Sequence, residues 1–273
     1  MRQAFDKLQA TIWQYLKAAF WRLPWTNRFS GLIMLSSFAN PTNSSQQSKI
    51  RQCSEAAHPA EACGFILKNE EVVECTNIST EQNSFKISAE ETALYLDDAK
   101  ASWHSHADYA TVSFADINAS KALNLPYAVF NCAGTEHFYF DPSQGAGLLG
   151  RPWLYGGYDC YSAVRDWYSQ EMGVEMKDYE RLYEGEWTQR GFTHFEDNFK
   201  AEGFTRIPPH WPLERGDVLL MKIKNDHVCN HVAVIEDPDA NQIYQHLVDR
   251  ESGIMTFGSY FRDNTTMAVR RIA

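Results

Sequence analysis

No apolar run in this chain approaches the roughly 20 residues that a membrane-spanning helix needs; Gly31-Leu32-Ile33-Met34-Leu35 is far too short. Positive charge is also scarce. With 25 Lys and Arg against 35 Asp and Glu, the net charge of -10 argues against a nucleic-acid partner, which requires clustered basic side chains. The six cysteines form no C-x-x-C pair and lack the density of a small disulfide-stapled domain, so they read as thiols of a protein made in a reducing compartment. Internal repeats are absent, which excludes solenoids and propellers. What is present is a core-forming composition, 44% hydrophobic and 14% aromatic, in 273 residues, a length that suits two compact domains.

Residues 1–48 read as an extension and linker. Phe5, Leu8, Ile12, Leu16, Ala19 and Leu23 recur at helical spacing between Arg2, Lys7, Lys17 and Arg22, giving a basic amphipathic helix. It is read as an ancillary extension, or as sequence upstream of a true start such as Met34, with a membrane-surface helix as the alternative. A signal peptide is not expected. The polar stretch Asn40 to Ser48 reads as the linker. Residues 49–144 then alternate helix and strand patterns: a helix from Lys49, strands over 63–67 and 71–75, a helix over 89–100, a strand ending at Trp103, a helix over 113–123, and strands near 127–131 and 136–140. The turn-rich Asp141 to Gly147 separates them from 146–273, where a helix over 159–172 precedes strand patterns over 217–223, 230–236, 242–248 and 268–272. The expected class is α+β in two domains, the second a helix packed on an antiparallel sheet.

Cys160 follows Tyr155-Gly156-Gly157-Tyr158-Asp159 and would open a helix after a glycine turn. There the free backbone N–H groups and the helix dipole should lower the thiol pKa and could hold an oxyanion. His231, opening the apolar run Val232-Ala233-Val234, is the expected base, and His246 on the neighbouring strand would fix its tautomer. His210 and His227 are competing bases that no rigid strand presents. Cys229, two residues from His231, reads as structural. Tyr155-Gly156-Gly157-Tyr158-Asp159-Cys160-Tyr161-Ser162, then Gly216-Asp217-Val218, then Asn230-His231-Val232 together resemble the NlpC/P60 cysteine peptidases. That resemblance implies a papain-like fold over 146–273, Cys160 as nucleophile, His231 as base, His246 as third residue, and Tyr155 and Asp159 beside the substrate. Tyr161 stands where most members carry serine.

Upstream, His104 and His106 alternate at a strand end, so both could aim at one ion, with Asp116 on the next helix completing three ligands and leaving a position for water. Glu61 is the candidate base for that water. Ser113-x-x-Asp116 is equally a helix capping box. Glu61, His104-x-His106 and Ser113-x-x-Asp116 resemble the JAMM/MPN metallopeptidases, which implies one zinc ion and a role for Ser113 in stabilising the tetrahedral intermediate. Here the loop after His106 is one residue shorter than the commonest form, and Ala107 replaces the usual proline.

The two resemblances in this order are similar to the tail assembly proteins of lambda-like phages, the tail protein K family. This implies a peptidoglycan endopeptidase that works with other tail-tip proteins, made in the host cytoplasm and then carried on the tail tip to act in the periplasm. A structural assembly factor with vestigial sites, and a zinc isopeptidase whose cysteine domain only binds wall peptide, stay open as alternatives.

Overall fold

The computed structural model describes residues 42–81, 83–107, 112–131, 137–145, 147–179, 181, 193–223 and 227–272. The amphipathic helix expected over 5–23 lies outside them. Among the described residues no helix is long and apolar enough to cross a membrane. The chain divides into two compact units, Met1–Ser143 and Gln144–Ala273. It is an α+β protein built on two separate sheets.

The first unit opens with helix α1, Ser44–Ala57, which takes up the last residues of the expected linker. Asn43 accounts for the difference: its side chain accepts the Gln46 N–H while Gln46 accepts the Asn43 N–H, so two orphan donors of the helix start are satisfied at once. A five-stranded sheet follows in the order β2-β1-β3-β4-β5, from β1 (Cys63–Leu67), β2 (Val72–Cys75), β3 (Ala99–His106), β4 (Tyr127–Asn131) and β5 (His137–Phe140). Helix α2, Ala89–Tyr95, precedes β3, and α3, Phe114–Leu123, makes the crossover between β3 and β4, which pair in parallel, while the other described pairs of this sheet are antiparallel. Gly64 is required where it stands. The Trp103 indole N–H reaches across it to the Val73 carbonyl at 3.2 Å, and a Cβ on residue 64 would lie 2.0 Å from that oxygen.

The second unit places helix α4, Cys160–Met172, on a sheet of order β10-β9-β8-β7-β11-β6 in which every pairing is antiparallel. Its strands are β6 (Phe204–Arg206), β7 (Val218–Met221), β8 (His231–Asp237), β9 (Gln242–Gln245), β10 (Gly253–Thr256) and β11 (Thr265–Arg271); two short helices, α5 (His194–Asn198) and α6 (Ser259–Asn264), complete it. Ala163, Val164, Trp167 and Tyr168 on one face of α4 pack on Val218, Leu220, Val232, Val234, Tyr244 and Val269. Side chains so buried contribute roughly 1.5–3 kcal/mol each, enough to fix the helix and hence the position of its first residue. Gly173, at φ 64°, ends α4 in the left-handed conformation.

Candidate active sites

In the first unit β3 runs past Trp103 to His106, so both histidines belong to the strand and share one face. Cys63 lies opposite His104 in the antiparallel register, and hydrogen bonds between Ala62 and Ser105 carry the pairing one step further. That step brings Glu61 against His106, with Oε1 3.9 Å from Nε2. The β3–α3–β4 crossover returns the chain over the same face and delivers Asp116 in the first turn of α3. Its Oδ1 is 3.4 Å from His104 Nε2, its Oδ2 is 3.6 Å from His106 Nε2, and the two imidazole nitrogens are 3.1 Å apart. Glu61, His104, His106 and Asp116 are all buried.

Burial disfavours charge on His104, yet the adjacent Asp116 carboxylate carries its pKa above the ordinary value. Burial likewise opposes ionisation of Asp116, and His104 with His106 nevertheless holds that carboxyl well below the usual range. Ser113 supplies the cap and the aim together: its Oγ accepts the Asp116 N–H at 3.1 Å, and its own N–H donates to Asp116 Oδ2 at 2.7 Å. Phe85 stacks on the His104 ring at 4.5 Å and Tyr127 meets it edge-on at 6.0 Å, which fixes its plane. A tetrahedral zinc ion with bonds near 2.05 Å would separate its donors by about 3.3 Å. The donor spacing and the mixed imidazole and carboxylate set fit such an ion.

In the second unit Asp159 caps α4, accepting from Ser162 N–H at 2.8 Å, Ser162 Oγ at 2.9 Å and Gly156 N–H at 2.9 Å. The Arg181 guanidinium closes on the same carboxylate through Nε at 3.0 Å and Nη2 at 3.2 Å. Asp159, expected beside the substrate, lines the cavity with Cys160, and its oxygens are committed to the helix start and to Arg181. Arg181 was missed in the sequence, where it is one charge in a charged, aromatic segment. Removing one partner of a buried ion pair strands the other charge, at a cost of about 3–5 kcal/mol. Arg181→Met should therefore lower the urea-unfolding stability of this unit by about 3 kcal/mol, and an equal midpoint for variant and parent would show that the pair contributes nothing.

Cys160 and His231 line one cavity, together with Tyr155 and His246, whereas His210 and His227 are exposed and contribute nothing to its wall. The orienting contact expected of His246 is made by its neighbour. His231 Nε2 lies 2.6 Å from Gln245 Oε1, and Gln245 Nε2 donates to Met255 Sδ, which fixes the amide orientation. Since Oε1 can only accept, Nε2 carries the proton and Nδ1 keeps the lone pair that a base needs. Strand parity explains the exchange: Ile235 faces Ile243 across the β8–β9 pair, so His231 and Gln245 share that face while His246 falls on the other. His246 Nε2 instead donates to the Arg250 carbonyl at 3.0 Å.

The expected activated thiolate is not found. Burial pushes the Cys160 thiol up to about 12 and the Asp159 charge adds to this, outweighing the Val232 and Tyr161 N–H groups and Arg181. Burial also lowers His231 to about 4, against the Gln245 hydrogen bond, and no hydrogen bond joins Cys160 to His231. The helix start offers its N–H groups, but desolvation of the sulfur is the larger effect. Both groups are therefore neutral at pH 7. Iodoacetamide alkylation of Cys160 should rise about tenfold per pH unit from 7 to 10; a plateau near neutrality would sink this description. For His231, a folded pKa below the unfolded value stabilises the fold above about 6.5, and that contribution is lost as pH falls toward 4. A pKa of about 4 against 6.5 corresponds to about 3 kcal/mol, so His231→Gln should flatten the acid limb of the stability curve between those values.

The remaining cysteine near the site, Cys229, is buried with its thiol 3.0 Å from Thr266 Oγ1, as a structural residue would be.

No protein-family model matches the chain. Among solved structures, an NlpC/P60 family protein from Bacillus cereus aligns with 83% of this chain and 67% of its own at 10% identity and a TM-score of 0.31. A Desulfitobacterium hafniense protein aligns with 35% of this chain and 77% of its own at 19% identity and a TM-score of 0.30. Scores this low carry no argument about the fold. In sequence, tail tip assembly protein K of Escherichia phage lambda is 35% identical over 132 residues, 48% of this chain and 62% of that protein. Tail tip assembly protein K of Escherichia phage N15 is 27% identical over 225 residues, 79% of this chain and 89% of that protein, an alignment that spans both units.

Proposed function

We propose that this chain is a tail tip assembly protein of a long-tailed phage and a peptidoglycan endopeptidase, with an NlpC/P60-like cysteine site and a JAMM/MPN-like metal site. The tail role rests on similarity to the phage N15 protein across both units. The observation that carries the peptidase reading is that Cys160 opens α4 on the wall of a cavity that His231 shares, with His231 held by Gln245 in the tautomer a base requires. Cys160 is the nucleophile. His231 Nδ1 takes the thiol proton as the sulfur adds to the carbonyl, so the thiolate forms during attack rather than before it, and the N–H groups at the start of α4 receive the developing oxyanion. Tyr155, on the same wall, borders the reacting carbonyl.

In the first unit His104, His106 and Asp116 would hold a zinc ion. When bound, that ion supplies Lewis acidity and lowers the pKa of a water. Glu61 is placed to accept a proton from that water, and Ser113 keeps Asp116 aimed. A second reading, an isopeptidase acting from this centre while the cysteine unit binds wall peptide, is favoured by the convergence of its donors, whereas no hydrogen bond joins Cys160 to His231.

Digestion of purified peptidoglycan separates the readings. Loss of released peptide fragments in Cys160→Ala alone assigns wall hydrolysis to the cysteine. Loss only in His104→Ala/His106→Ala, or on chelation, supports the second reading. No release by the parent protein leaves a structural assembly factor.

A further inference from the structure

We infer that the cavity beside Cys160 is a pocket for a bulky apolar side chain next to the scissile bond, so that the cysteine site also takes protein segments bearing phenylalanine or leucine. This rests on the peptidase reading and narrows its substrate class. The cavity has a volume of about 140 Å³. A volume of roughly 150 Å³ with aliphatic and aromatic walls accepts a benzene-sized group. Trp153, Tyr179, Phe195, Phe199, Val232 and Val248 stand in the wall. The charged groups among them are turned to other tasks: Asp159 and Arg181 bond each other, and Glu202 accepts from Tyr179 Oη at 2.5 Å and from Lys177 N–H at 3.2 Å. An occupant entering beside the sulfur therefore meets a wall that is mostly carbon.

The cavity wall also carries ring nitrogens: His246 donates its Nε2 proton to the Arg250 carbonyl and its buried Nδ1 has no hydrogen-bond partner, while His231 Nδ1 keeps its lone pair. An apolar pocket with a few acceptors on its wall fits a side chain whose own backbone N–H needs a bond. Wall peptides, made of small and charged residues, would leave this volume empty. The chemistry is that of any cysteine peptidase: Sγ adds to the carbonyl, the thiol proton passes through His231 to the departing amine, and water then hydrolyses the thioester and restores the thiol.

The test uses the full chain at pH 9 with iodoacetate, iodoacetamide and N-phenethyl iodoacetamide, each rate at Cys160 divided by that for free cysteine and the site confirmed by mass. The phenethyl reagent should react at least about tenfold faster than iodoacetamide, in line with burial of one aromatic group, with iodoacetate slowest. Val248→Glu, at a rim position that is 37% exposed, should abolish that preference while its thermal midpoint stays unchanged. Equal normalised rates in the parent protein would overturn the inference. Peptides Ala-Ala-Xaa-Ala-Ala with Xaa Phe or Ala separate the two claims. Reagent preference without cleavage keeps the pocket and removes the peptidase; cleavage indifferent to Xaa keeps the peptidase and removes the pocket.

Discussion

Cys160→Ala should reduce the release of peptide fragments from peptidoglycan by about 10⁴-fold or more, the scale on which loss of a nucleophile is felt in hydrolases that use one. The variant should remain folded. Cys160 contributes one partly buried thiol at the edge of the α4 core, whose mass lies in Trp167, Tyr168 and their sheet partners, so alanine removes a sulfur and little packing. A fall in activity with an unchanged unfolding midpoint therefore reports chemistry. Gln245→Leu provides the control on geometry. It deletes the acceptor at His231 Nε2 and frees the ring to adopt either tautomer, which should lower kcat while leaving KM nearly unchanged. Full activity in Cys160→Ala would move the catalytic role elsewhere and leave the cavity as a binding site.

The second large effect concerns the candidate metal site. Asp116→Ala removes one of its three candidate donors and also half of the capping box, so two consequences must be kept apart. Asp116→Asn keeps most of the shape and an oxygen, while losing the charge that offsets an ion. Zinc present at 100 times its dissociation constant should stabilise the parent fold by about 2.7 kcal/mol, read as a rise in the thermal midpoint that a chelator reverses. In Asp116→Asn that rise should vanish at the same zinc concentration, while the midpoint without zinc moves much less. An equal zinc-induced rise in parent and variant would remove Asp116 from the ligand set. His104→Ala should also lose the response, since its Nε2 stands 3.1 Å from His106 Nε2 and 3.4 Å from Asp116 Oδ1.

The parts of these sites visible in the sequence were those where local geometry alone decides direction. Alternation on a strand puts His104 and His106 on one face whatever surrounds them, and Ser113-x-x-Asp116 is a helix start in any context. The glycine turn before Cys160 similarly announced α4. What escaped depends on contacts between distant segments. Choosing between Gln245 and His246 requires the β8–β9 register, and that pair contains an irregularity between Ile235 and Asp237 which no count along one strand can reveal. Arg181 reaches Asp159 across 22 positions from a segment without periodicity. The thiol pKa failed for a related reason: the helix dipole is a local property, whereas desolvation of sulfur is set by everything packed around it. Strands β6 and β10 are only three and four residues long, and β10 turns Ile254 to solvent, so neither carried an apolar alternation to find. At Asn43 the signal was present, but a run of serine and glutamine looked like tether rather than cap.

The indole of Trp103 bridging over Gly64 has a genetic consequence. A change of this glycine to alanine alters no donor atom and no charge, yet it forces β1 and β2 apart beside the row that holds Glu61 and His104. Such an allele would disturb the candidate metal site while every candidate ligand codon remained intact. A screen for loss-of-function alleles would thus recover Gly64 alongside the histidines, and a smaller residue 103 would not rescue the Gly64 change, because the closest contact, 2.0 Å, is with the Val73 backbone carbonyl.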